Sequence, residues 1–80
     1  MALSATALLE FVRQRSGDSA LGEDTPLFSS GALDSVNQLN LIMFVESGAG
    51  ITVSPADVTL ENFDCVRSIL DYVSRELGET

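Results

Sequence analysis

Apolar residues first recur at helical spacing near the start of the chain. Leu8, Phe11, Val12 and Arg15 share one side of a helix, with Leu9 and Ala5 beside them. That spacing predicts a helix over Ala5 to Ser16. Ser4 precedes it as a capping residue, Gly17 follows as a stop, and Arg13 and Arg15 fall in the last turn, where the helix dipole favours cations. The periodicity then lapses from Gly17 to Leu33, a stretch with three glycines, one proline and several Ser, Asp and Thr residues. A connection of this length in a small domain is uncommon unless it is functional or packed. Leu21, Leu27, Phe28 and Leu33 give it anchors that a bare Gly/Ser linker lacks, so it is expected to lie over the core.

A second helix is predicted from Ser35 to Ser47. Asp34 or Ser35 supplies its cap, Ser35-Val36-Asn37-Gln38 reads as a capping box, and Gly48 and Gly50 stop it. Its apolar residues do not form one stripe. At about 100° per residue, Leu41, Ile42 and Val45 point one way while Val36, Met43 and Phe44 point broadly the other. A helix apolar nearly all round cannot be wholly buried in so small a protein. Part of that surface is therefore expected to face a partner or ligand.

Ile51-Thr52-Val53 alternates like a short strand but has no pairing partner, so it reads as an extended link. Ser54-Pro55-Ala56-Asp57 combines a capping Ser, Pro at the first position and an acid at the third, which predicts a short helical turn ending near Thr59. A last helix is predicted from Asn62 or Phe63 to Leu77, with Val66, Ile69, Leu70, Val73 and Leu77 as its apolar stripe and Gly78 as its end. The expected fold is all-α: a small four-helix bundle with three longer helices, one short helix and a long loop between the first two. With 80 residues it is read as a single domain over 1–80.

Composition narrows the function classes. The chain carries a net charge of −8, with twelve acids against four arginines and no lysine. Nucleic acid and anionic lipid would be repelled, and partners with basic patches attracted. The longest unbroken apolar run, Leu41 to Val45, is far below the roughly 20 residues of a membrane span. The start, Met1-Ala2-Leu3-Ser4, lacks the basic and apolar regions of a signal peptide. Cys65 is the single cysteine, which leaves no intrachain disulfide and no Cys/His zinc site; it reads as a small residue, core-facing or half-buried. A cytoplasmic protein is expected. There is no histidine, so no Ser-His-Asp triad and no usual base near neutral pH. No Gly-rich phosphate loop or EF-hand spacing is found. No catalytic activity of its own is expected, and no metal. Of Asp57, Glu61, Asp64 and Asp71, on the last two helices, most read as solvated surface.

What remains is Asp34-Ser35 at the start of the apolar helix. Gly31-Ala32-Leu33-Asp34-Ser35-Val36 resembles the phosphopantetheine attachment motif of acyl carrier proteins, an Asp-Ser pair followed by an aliphatic residue. Thr25-Pro26-Leu27-Phe28 resembles that family's loop before the motif, and Leu39 through Glu46 its second helix. Ser54-Pro55-Ala56-Asp57 resembles its short third helix, and Asn62-Phe63, Val66 and Asp71-Tyr72-Val73 its last. The likeness covers Thr25 to Val73 in the family's order and spacing.

The resemblance implies a free-standing acyl carrier protein with 4'-phosphopantetheine, from coenzyme A, attached covalently to Ser35. It implies three sets of partners: a phosphopantetheinyl transferase, an acyltransferase or an acyl- or aminoacyl-loading ligase, and downstream biosynthetic enzymes. The carrier is expected to be a monomer. Spacing alone leaves Val36 and Met43 open as core or surface, and Asp34 as plain cap or partner contact. The resemblance implies a partner-facing side with Val36, Asn40 and Met43 flanking Ser35, and Asp34 and Glu46 supplying charge at its ends. The chain departs from the fatty-acid carriers, whose second helix is rich in acids; here Asn37, Gln38, Asn40 and Ser47 stand in such positions and only Glu46 is charged. The Leu33-Asp34-Ser35 form also differs from the Gly-Gly-x-Ser motif of peptide-synthetase carriers and is similar to that of discrete carriers with dedicated partners, which implies specialised, polyketide-type or related biosynthesis. An aminoacyl or peptidyl carrier loaded by a dedicated ligase, and an unmodified acidic helical adaptor, are the alternatives.

Overall fold

The structure, a computed structural model, describes residues 3–78. Among these it contains four α-helices, one 3₁₀ turn and no strand. Helix α1 spans Ala5–Ser16, α2 Ser35–Ala49, α3 Leu60–Phe63 and α4 Val66–Leu77, with the 3₁₀ turn at Pro55–Asp57. The first helix is as predicted. Ser4 Oγ accepts the Ala7 N–H at 3.1 Å, and Gly17, at φ 75°, closes the last turn by donating to Arg13 O.

Helix α2 runs two residues past the expected stop at Ser47. Gly48 does not break it, because its missing side chain makes room for Leu3: a Cβ there would lie 3.0 Å from Leu3 Cδ1. The helix ends at Gly50, whose φ of 71° is a left-handed conformation that suits glycine. The predicted capping box is also displaced. Asp34 is the cap, and the Gln38 side chain donates to Leu33 O at 2.9 Å and does not return to Ser35. Ser54 precedes the 3₁₀ turn as expected but makes no side-chain capping bond.

The largest departure is at the last helix, predicted as continuous from Asn62 or Phe63. The chain instead forms the short α3, breaks at Asp64-Cys65 and restarts as α4. Cys65 is extended, at φ −150° and ψ 162°. The break has a tertiary cause. Asp64 turns both its carbonyl and its carboxylate toward the long loop, where they accept hydrogen bonds from Leu27, Phe28 and Ser29. Asp64 is thus bound, not the solvated acid expected, and so is Asp57, which accepts from the Tyr72 hydroxyl at 2.9 Å. Cys65 is half-buried as expected, with its sulfur 3.2 Å from Ser68 Oγ.

The core joins Leu8 and Val12 of α1, Leu41 and Val45 of α2, Phe63 of α3, and Val66, Ile69, Tyr72 and Val73 of α4. The long loop contributes Leu21, Leu27 and Leu33, all fully buried, while Phe28 is half-buried against them. Each buried leucine contributes roughly 1.5–3 kcal/mol, enough to hold an otherwise polar segment against the core. The rings of Phe11 and Phe44 stack at 4.4 Å and join α1 to α2, with the Arg15 guanidinium 5.0 Å above Phe11. No helix among the described residues is long and apolar enough to cross a membrane.

Candidate functional site

The first turn of α2 is built by its neighbours in sequence. Gly31, at φ 76°, donates to Phe28 O and turns the chain back toward the core. Leu33 is buried there and donates to Leu27 O at 3.2 Å. Asp34 Oδ1 then accepts the Asn37 N–H, and Asp34 O the Gln38 N–H, both at 2.8 Å. The Asn37 side chain donates to Arg15 O at 3.4 Å, which ties the start of α2 to the end of α1. Together these contacts hold the helix end in place without occupying the residue beside the cap.

That residue is Ser35. It is exposed, and among the described residues its hydroxyl has no hydrogen-bond partner. The N–H groups of Ser35 and Val36 also have no acceptor within the described residues, as expected for the first turn of a helix. The arrangement is a primary hydroxyl on a rigid helix end, beside two free donors and the positive end of the helix dipole. Such a place tolerates a phosphate ester.

Of the residues predicted to flank Ser35, Val36 is 68% exposed and Met43 52% exposed. Asn40 is half-buried at the edge of that face. Glu46 serves the fold first: its Oε2 accepts the Val53 N–H at 2.8 Å, so the carboxylate holds the extended link to the helix. Sequence reasoning missed Leu39, which is 59% exposed. The signal was present, since Leu39 stands four residues after Ser35 and four before Met43, so all three stack along one face. Val36, Leu39 and Met43 form an apolar stripe that starts at Ser35, with Leu41 and Val45 on the buried side.

The four arginines are engaged elsewhere. Arg13 Nε donates to Leu21 O at 2.6 Å, Arg15 lies over Phe11, Arg67 pairs with Asp24 at 2.7 Å, and Arg75 donates to Asn62. Two surface clefts, about 410 and 470 Å³, lie along α3 and α4, and neither is lined by Ser35.

A second residue that sequence reasoning missed is Asp64, read as surface. Partial burial pushes its carboxyl up, but hydrogen bonds from the Ser29 N–H and hydroxyl and from the Phe28 N–H, with the Leu27 N–H close by, outweigh that and hold it below the usual carboxylate range. Nothing local in the sequence signals this role, because its partners lie 35 and 36 positions earlier.

No family model matches the chain, and no curated protein matches it.

Proposed function

We propose that this chain is a carrier protein, modified on Ser35 with 4'-phosphopantetheine and serving specialised biosynthesis in the cytoplasm. In this reading the helices form the small four-helix bundle of such carriers. The observation that supports it best is the exposed, unpartnered Ser35 hydroxyl beside two free amides, with an apolar stripe leading away from it. Ser35 Oγ gives up its proton to the transferase and bonds to the phosphorus nearer the pantetheine in coenzyme A. The pyrophosphate bond breaks, and adenosine 3',5'-bisphosphate leaves. The attached arm supplies a thiol that holds cargo as a thioester. The chain's own contribution is a fixed attachment point and a surface for partners to read. Those partners are a phosphopantetheinyl transferase, a loading ligase or acyltransferase, and downstream enzymes. An acyl cargo is the first reading, and an aminoacyl cargo needs only a different ligase.

The test is an intact mass after incubation with coenzyme A, magnesium and a broad-range phosphopantetheinyl transferase. A gain of one phosphopantetheinyl group that Ser35→Ala abolishes is the expected result. No gain, or a gain that survives Ser35→Ala, sinks the reading. The exposed stripe of Val36, Leu39 and Met43 also suits an unmodified acidic adaptor. An adaptor would keep its partner binding and biological activity in Ser35→Ala, whereas a carrier would lose its activity.

A further inference from the structure

The loop that delivers Ser35 is held by a residue far from it in sequence. Asp64 O accepts the Leu27 N–H. Its Oδ1 accepts the N–H groups of Phe28 and Ser29, each at 2.8 Å, and its Oδ2 accepts the Ser29 hydroxyl at 2.7 Å. One residue at the α3–α4 break thus receives four hydrogen bonds from three consecutive loop residues. The contact continues toward Ser35 through few steps. Leu27 O accepts the Leu33 N–H at 3.2 Å, and Leu33 O accepts the Gln38 side chain at 2.9 Å, across the first turn of α2. Behind the clamp, the Arg67 N–H donates to Glu23 O at 3.0 Å.

The carboxylate bonds are placed where apolar anchoring is weakest. Leu21, Leu27 and Leu33 are buried and hold the loop at three points, whereas Ser29, Ser30 and Gly31 are exposed. Between Leu27 and Leu33, where Phe28 is only half-buried, the Asp64 carboxylate ties the loop to the α3–α4 break with charge-assisted bonds at both oxygens. Removing it would leave the core leucines and the bonds within the loop, Ser30 hydroxyl to Pro26 O and Gly31 N–H to Phe28 O, without their link to Asp64.

We infer that Asp64 is a positioning residue for the modification of Ser35, ordering residues 28–33 so that a transferase meets the start of α2 in one conformation. This rests on the carrier reading above. A loosened loop lowers the fraction of molecules ready to bind, and the apparent affinity falls by that fraction while the chemistry after binding is unchanged.

The experiment compares wild type, Asp64→Ala, Asp64→Asn and Ser29→Ala as substrates of one broad-range transferase with saturating coenzyme A, alongside hydrogen exchange of the loop amides. Asp64→Ala is expected to raise KM by about tenfold with kcat unchanged, taking a competent fraction of about one in ten. Phe28 and Ser29 amides should exchange faster while those of α1 and α4 do not. Asp64→Asn keeps an acceptor for both N–H groups and is expected to restore KM to within about threefold of wild type. Ser29→Ala removes only the hydroxyl bond, keeps the test open if Asp64→Ala does not fold, and is expected to raise KM by about two- to threefold. A wild type that is modified, with KM unchanged in the folded variants, overturns the positioning role alone. A wild type that is not modified overturns the carrier reading and this role with it.

Discussion

Tyr72 offers a test of the packing that needs no knowledge of function. Its side chain is 4% exposed. Its hydroxyl lies 2.9 Å from Asp57 Oδ2 and 3.1 Å from Glu76 Oε1, so the single phenolic proton stands between two carboxylates. Burial first, and then the hydrogen bonds and charges of Asp57 and Glu76, push the phenol well above the ordinary tyrosine range. Ionising it would leave three negative groups converging with no donor among them.

The perturbation is Tyr72→Phe, followed by chemical unfolding from neutral to alkaline pH. At neutral pH the variant loses a bond to a charged acceptor, worth about 1.5–3 kcal/mol. Asp57 is only half-buried and Glu76 is exposed, so both carboxylates regain water and the cost should fall near the lower end. In a chain this short, 1.5 kcal/mol corresponds to a melting point lower by roughly 6–12 °C. Raising the pH then adds a slope. The folded pKa is raised, so the stabilisation is fully present below the unfolded value of about 10 and is lost as pH rises toward the folded one. Above about pH 10 the wild type should lose close to 1.4 kcal/mol per pH unit that Tyr72→Phe does not lose, so the two stability curves converge. The chain has one tyrosine and no tryptophan, so phenolate absorbance reports Tyr72 alone. At about pH 11 the native protein should show little phenolate, while the urea-unfolded chain is about nine-tenths ionised. Equal phenolate in the two states, or a Tyr72→Phe variant as stable as wild type at neutral pH, would refute the placement of the hydroxyl between the carboxylates.

Three further outcomes are expected. Leu41→Ala, at a fully buried position of α2, should cost about 2–5 kcal/mol in urea unfolding, whereas Val36→Ala on the opposite face should cost under about 1 kcal/mol. Met43→Glu should keep the native helix content and melting point because the side chain is 52% exposed, while impairing transfer to or from partner enzymes; loss of fold would show that Met43 belongs to the core. Asp64 has a lowered folded pKa, so its contribution is present above the unfolded carboxylate value of about 3.9 and is lost as pH falls through the folded one. Asp64→Asn should flatten the acid limb of the stability curve over that window, and an acid limb unchanged from wild type would count against the bonds to Phe28 and Ser29.

The parts of the fold legible in the sequence are those whose causes lie within a few residues. Helix α1 needs only Ser4 before it, Leu8 and Val12 at four-residue spacing, and Gly17 behind it, and its observed bounds match the predicted ones. The anchors of the long loop were legible for the same reason, since a leucine in a polar stretch has few places to go except inward. The break between α3 and α4 was not. Phe63 and Val66 are both core residues, and a single helix through them satisfies the apolar pattern. What splits it is Asp64, whose partners come from the other end of the domain. Gly48 misled in the opposite direction: a glycine read as a stop is there because Leu3 packs against it.

The site divides along the same line. The exposure of Ser35 at a helix end follows locally from the Asp34 cap, whereas the loop before it is held by Asp64, 35 and 36 positions from its partners. The face that accompanies it follows from how α2 distributes its apolar residues among three neighbours. Leu41 and Val45 enter the core, Phe44 stacks on Phe11 of α1, and Val36, Leu39 and Met43 are left facing solvent. Two of those destinations satisfy the fold. The third contributes least to it, since Val36, Leu39 and Met43 keep more than half of their surface exposed. Three apolar side chains aligned on one helix face and starting at Ser35 are the surface that the proposed carrier would present to its partners. The even spread of apolar positions around α2, which defeats a simple amphipathic reading, reflects three directions of which the core and the Phe11–Phe44 stack account for two.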